Sequence, residues 1–222
     1  MSEEIPMNLI QELNRVAESV TTAVETAPIV GEVLRGTAGP SAYAMFMAQT
    51  YHYVLVTAPN LLLAARALQQ QQRHPELVAL YLDKAVEEAG HDVWAVDDAA
   101  VLGVSKRVFA APSPAVLAYK AWNRFTIETG LPVAYFGTAY VLEHLGAKAA
   151  PRAVENLLRS GAIPEGALRF LRGHGEADQG HIAELGAALE RVSDPAEKEA
   201  ILLSAQVTAA LYPRFFIVPG AS

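Results

Sequence analysis

The chain of 222 residues contains no cysteine. Disulfides, thiolate zinc sites, iron–sulfur clusters and cysteine nucleophiles are therefore excluded, and any metal must be held by histidine and carboxylates. Charge is scarce as well. Charged residues make up 18%, with 24 acidic against 17 basic and a formal net charge of −7. No basic stripe is present, which argues against nucleic-acid binding. No apolar run reaches the roughly 20 residues of a membrane span; the longest, residues 54–68, is interrupted by Pro59, Asn60 and Arg66. The segment Met-Ser-Glu-Glu-Ile-Pro at the start is acidic and lacks a signal-peptide core. A soluble, cytoplasmic protein that binds neither nucleic acid nor membrane is expected. No nucleophile elbow with a Ser/His/Asp arrangement occurs either. With only six histidines in the chain, their placement carries information.

What is abundant is apolar and helix-favouring. Hydrophobic residues make up 52% and the mean hydropathy is +0.19, so either the core is large or apolar surface is buried in an oligomer, with a homodimer the expected form. Alanine and leucine recur with helical periodicity, and no segment shows period-2 alternation. Proline and glycine divide the chain into an N-terminal region up to residues 36–40; a second, 40–71, kinked at Pro59; a third, 74–103; and a fourth, 111–146, kinked at Pro132. A short fifth at 151–160, a sixth at 163–191 and a seventh at 196–211 follow. The apolar tail from Tyr212 onward is expected to dock. The expectation is one domain spanning 1–222, an all-α bundle of about seven helices.

The most informative segment is His174-Gly-Glu-Ala-Asp178-Gln-Gly-His181. At about 100° per residue, Asp178 and His181 lie at roughly +40° and −20° from His174, all on one narrow stripe. The chance expectation for this pattern, given the chain's composition, is about 0.02. Two imidazoles and a carboxylate on one stripe suit a transition metal, iron above all. The third region adds Glu88 and His91, a Glu-x-x-His pair spaced i, i+3, with Glu87 as a competing choice. The fourth adds Glu143 within an otherwise apolar stretch, where a carboxylate needs a cation. His52, flanked by Tyr51 and Tyr53, is a candidate ligand, proton carrier or substrate contact. Phe136 and Tyr140, seven and three residues before Glu143, are expected to wall a substrate pocket. Gly173, Gly175 and Gly180 each weaken a helix by about 1 kcal/mol, which suggests that something approaches it closely. This glycine run is not a phosphate loop, since no strand precedes it and Asp178 stands where a third glycine is needed. Among neighbouring residues, His144 should face away from Glu143, His74 should be exposed, and Glu176 should point outward. Asp98 is expected either to support a ligand or to cap a helix.

With these residues in place, the chain resembles the heme-oxygenase-like diiron oxidases and oxygenases, which share a fold with the TenA and PqqC proteins. The resemblance covers most of the chain. It is densest at Glu87-Glu-Ala-Gly-His-Asp-Val-Trp94, at Asp97-Asp98 with Leu102-Gly103, at Pro132, Gly137 and Tyr140-Val-Leu-Glu143, and at Phe170-Leu-Arg-Gly-His174 with Asp178 and His181. It implies a seven-helix bundle with ligand roles for His91, Glu143, His174, Asp178 and His181. It also implies dioxygen as co-substrate and oxidation of an amino acid, amine or fatty acid, with an external electron donor as a candidate partner. One position departs. Many members carry Glu seven residues before the first-helix histidine, and here that residue is Lys84. Glu88 stands as a replacement, as in the alkene-forming fatty-acid decarboxylase branch. The ferrous ion count, one or two per chain, stays open, and Lys84 becomes a candidate for pairing with a carboxylate or touching substrate; Lys84 and Arg124 are the candidate cations for a carboxylate or amino-acid substrate. The alternatives are a metal-free acid–base enzyme of the TenA or PqqC kind acting on a heterocycle, which for TenA needs an absent cysteine, and a non-catalytic binding protein. Heme oxygenase activity itself is disfavoured because no histidine precedes His52.

Overall fold

A computed structural model describes residues 8–104 and 106–218, with the side chains of 106 and 176–179 outside the description. Among the described residues the chain is all helical. Ten α-helices are present: α1 (Leu9–Thr26), α2 (Pro28–Arg35), α3 (Pro40–Val54), α4 (Thr57–Gln70), α5 (Pro75–Glu87), α6 (His91–Val101), α7 (Pro114–Thr129), α8 (Tyr135–Ser160), α9 (Arg169–Leu189) and α10 (Pro195–Leu211). No helix among them is long and apolar enough to cross a membrane.

The local reasons follow the sequence. In α1, Leu9, Leu13, Ala17, Val20 and Val24 are buried along one stripe, and the Asn8 side chain accepts the Gln11 N–H at the start. Ser113 and Asp194 cap α7 and α10 in the same way, each followed by a proline at the first helical position. The long α8 runs along α9 and also packs on α10, α1 and α2, while α3 lies on α6 and α4 on α5. The C-terminal segment docks as expected, with Phe215 and Phe216 buried.

More helices form than the seven expected because breaks fall inside the anticipated regions. The chain turns at Leu55–Val56, so Pro59 sits in the first turn of α4, where its missing N–H costs nothing, rather than kinking one long helix. At Pro132 a 3₁₀ turn separates α7 from α8 in place of a kink. Between α5 and α6, Gly90 adopts φ 92°, a left-handed conformation open to glycine and strained for most other residues. One expected break does not occur. α8 continues through Gly146 and Pro151 to Ser160, so the short fifth helix is its last turns.

The glycines of α9 have distinct causes. A Cβ on Gly173 would lie 2.5 Å from the Trp94 ring of α6, and one on Gly175 would press on the Pro151 ring of α8 at 3.1 Å. Close approach of neighbouring helices therefore accounts for both. Around Gly180 nothing lies within 4 Å, and nothing in the structure explains it. Gly180→Ala is expected to stabilise the fold by up to about 1 kcal/mol. Gly173→Ala is expected to destabilise it by about 1–3 kcal/mol, because overpacking outweighs the helix preference. Urea denaturation of the two variants checks this, and a stabilising Gly173→Ala would contradict the packing argument.

Candidate metal centre and cavity

Three donors converge where α5, α6 and α9 meet. Glu88 follows the last turn of α5, His91 opens α6 beyond the Gly90 turn, and His174 projects from α9. Glu88 and His91 therefore do not share a helix face, as their spacing suggested; the turn brings them together instead. One ligand atom from each of Glu88, His91 and His174 lies within 4.8 Å of the others. His91 Nδ1 is 3.3 Å from Glu88 Oε2, an ion-pair contact without hydrogen-bond geometry, which leaves that buried nitrogen without a hydrogen-bond partner.

Each donor is held by its surroundings. His174 Nδ1 donates to the Phe170 carbonyl at 2.9 Å, which fixes the tautomer and leaves Nε2 as the nitrogen with a lone pair. The Phe170 ring stacks on the His174 imidazole at 4.1 Å, and Trp94 covers His91 at the same distance. Burial holds His174 below the ordinary histidine range, favouring the neutral ligand form. Burial pushes the Glu88 carboxyl up, but His91, His174 and His181 together outweigh it and hold Glu88 below its ordinary value. An anionic carboxylate and two imidazoles, one with an orphaned buried nitrogen, are a fitting donor set for a divalent transition metal.

A second group adjoins the first. His181 Nδ1 donates to Glu143 Oε2 at 3.0 Å, and its Nε2 lies 3.2 Å from Glu87 Oε2. The hydrogen bond that His181 donates to Glu143 raises the His181 pKa, against the effect of burial. The same Glu87 oxygen accepts from Lys84 Nζ at 2.8 Å, and Glu184 Oε2 lies 3.1 Å from that ammonium. Burial pulls Lys84 down, but Glu87 and Glu184 outweigh it and raise its pKa. Glu184 was missed in the sequence, although it sits three residues after His181, about one turn further along α9.

Lys84, Glu88, Glu143 and His174 form the polar side of a cavity of about 110 Å³. Elsewhere its wall is mostly apolar, with Val33, Leu61, Leu142 and Ala150 among the lining residues. Tyr81 and Phe136 stack at 4.0 Å within that wall. Tyr81 also escaped the sequence reading, though it precedes Glu88 by seven residues and shares its face.

Several expected residues stand elsewhere. Phe136 lines the cavity as anticipated, but Tyr140 does not; its hydroxyl donates to Asn14 of α1 at 2.7 Å. At i−3 it lies 60° round the helix from Glu143, against 20° for Phe136 at i−7. His52 is buried against Tyr51 and Phe109 and does not join the cluster. Burial lowers its pKa, and its Nε2 has no hydrogen-bond partner. Arg124 pairs with Glu128 on the surface, away from the cavity. His74, expected to be exposed, pairs with buried Glu197 at 2.9 Å. His144 faces away from Glu143 as expected, buried and packed toward Tyr140. The side chains of Asp178 and Glu176 lie outside the described residues.

Asp98 takes the capping role. Its carboxylate accepts the backbone N–H groups of Arg169 and Phe170, at 3.1 and 2.9 Å, and so ties the start of α9 to α6. Burial pushes its carboxyl up to about 6 despite those donors. Between about pH 4, the unfolded value, and pH 6 the folded chain holds more of this proton than the unfolded chain. The stability of the native protein relative to Asp98→Asn, which does not titrate, should therefore fall as pH rises through that window. Urea melts at four pH values test this; a margin that is flat or grows with pH would contradict it.

The comparisons agree with this picture. A solved domain of unknown function from Shewanella denitrificans with a heme oxygenase-like fold matches with TM-score 0.82 and 23% identity, covering 95% of this chain and 91% of that one. A TenA homologue from Pseudomonas syringae matches with TM-score 0.72 and 14% identity, covering 95% and 93%. Heme oxygenase from Leptospira interrogans matches with TM-score 0.67 and 18% identity, covering 95% and 98%. The fold is thus heme oxygenase-like. The family profile of the iron-containing redox enzymes matches residues 44–213, and the chain belongs to that family. No curated protein matches it.

Proposed function

We propose that this protein is a nonheme iron oxidase or oxygenase that uses dioxygen to oxidise a small organic molecule with an apolar body. The observation that carries the reading is the Glu88–His91–His174 donor set, with its orphaned His91 nitrogen, set beside an apolar cavity. Two imidazoles and one carboxylate with coordination positions left open are the arrangement by which nonheme ferrous iron activates dioxygen. Iron bound there would supply dioxygen binding and electron transfer.

The chain's own residues supply the rest. The Phe170 carbonyl keeps the His174 proton on Nδ1, and the Phe170 and Trp94 rings fix the two imidazoles in place. Tyr81 and Phe136 present apolar surface to a substrate and exclude water. His181 holds a proton against Glu143 at 3.0 Å, close enough to the donor set to influence Glu88. Candidate substrates are an amino acid, an amine or a fatty acid, with the apolar portion in the cavity.

The test is anaerobic loading with ferrous ion, followed by measurement of bound iron and of dioxygen uptake with a panel of these substrates. The native chain is expected to bind iron and to consume dioxygen in the presence of one of these classes. His91→Ala and His174→Ala should each weaken iron binding by at least about a hundredfold, beyond the effect of losing a supporting group. A folded native chain that binds no iron would overturn the reading.

A further inference from the structure

We propose that this chain holds a single iron, at Glu88, His91 and His174, and that the Lys84 ammonium occupies the place of a second metal among Glu87, Glu143, His181 and Glu184. The inference rests on the iron reading above and fixes the ion count within it.

The two donor groups lie at successive levels along α5 and α9, with His91 of α6 added to the first and Glu143 of α8 to the second. Lys84 precedes Glu88 by one turn on α5, and His181 follows His174 by two turns on α9. Among the described residues, the first level presents its donors to one another with no lysine or arginine between them. Among the described residues, the second presents the Glu143 carboxylate and the His181 imidazole together with the more exposed Glu87 and Glu184, and there the protein has placed a cation of its own. Lys84 Nζ stands 2.8 Å from Glu87 and 3.1 Å from Glu184, and its side chain is buried. The Glu87 oxygen that accepts from Lys84 is the one that faces His181 Nε2 at 3.2 Å. His181 Nδ1 is engaged in turn by Glu143.

An iron bound by Glu87 and His181 at the usual distance of about 2 Å would stand within about 4–5 Å of the ammonium. Repulsion between a divalent ion and a fixed positive charge at that range, in a partly buried setting, weakens binding by at least about a hundredfold. The Lys84 ammonium is the buried charge, and the more exposed Glu87 and Glu184 carboxylates are its counter-ions, so these oxygens are already engaged by a cation of the protein. A single positive residue thus converts a ligand-rich junction of helices into a one-metal site.

The experiment loads native protein, Lys84→Arg, Lys84→Met and Lys84→Glu with excess ferrous ion under anaerobic conditions. Each is desalted, and iron per chain is measured by plasma mass spectrometry; circular dichroism confirms folding. The native chain and Lys84→Arg should retain about one iron. Lys84→Glu should retain about two, and Lys84→Met should take up a second ion at least about a hundredfold more tightly than the native chain. Two irons in the native chain would overturn this proposal while leaving the iron-dependent function intact. So would a single iron in folded Lys84→Glu and Lys84→Met alike. No iron in the native chain would overturn both.

Discussion

Charge in an apolar interior must be neutralised, and the arrangement of this bundle follows from that requirement. Carboxylates from α5, α8 and α9 and imidazoles from α6 and α9 meet beside a mostly apolar cavity. An isolated buried ion costs several kcal/mol even after the protein relaxes. The buried ions here are met accordingly: Glu88 and Glu143 by imidazoles, and the Lys84 ammonium by the more exposed Glu87 and Glu184. Glu88 is the instructive case. Burial pushes its carboxyl up, and contacts with the surrounding histidines bring it below its ordinary value. A site with that charge balance suits a divalent metal ion.

The supporting geometry is set by a few backbone decisions. Gly90 turns the chain so that His91 re-enters beside Glu88. Asp98 reaches from α6 to hold the first N–H groups of α9, one turn before His174. Phe170, whose N–H is one of those groups, returns its carbonyl to His174 Nδ1. Gly173 leaves room for the Trp94 ring that packs on His91. The two histidines are thus locked from behind by the same α6–α9 contact that holds the helices together, as expected for a preorganised centre.

Much of this was legible in the sequence because helical spacing is a strong signal. His174 and His181 do lie on one side of α9, and the helical class, the docked tail and Phe136 in the cavity wall were readable from periodicity. The Glu88–His91 pair was found for the wrong geometric reason. A Glu-x-x-His spacing reads as one helix face, and only the conformation of Gly90 shows that a turn does the same work. α8 passes through Gly146 and Pro151 because packing on α9, α10 and α1 overrides local breakers. Tyr140 and His74 were misplaced because their partners, Asn14 and Glu197, are more than 100 residues distant in sequence. No local pattern encodes such contacts.

The same fold carries a TenA homologue and heme oxygenases, so the bundle alone does not define the chemistry; the side chains facing the cavity do. The measurement that bears most directly on the account is a crystal of the ferrous-loaded protein examined at the iron absorption edge. The account predicts an anomalous peak bounded by the Glu88 carboxylate, His174 Nε2 and the His91 ring. Iron located elsewhere, with these three side chains free of metal, would contradict it.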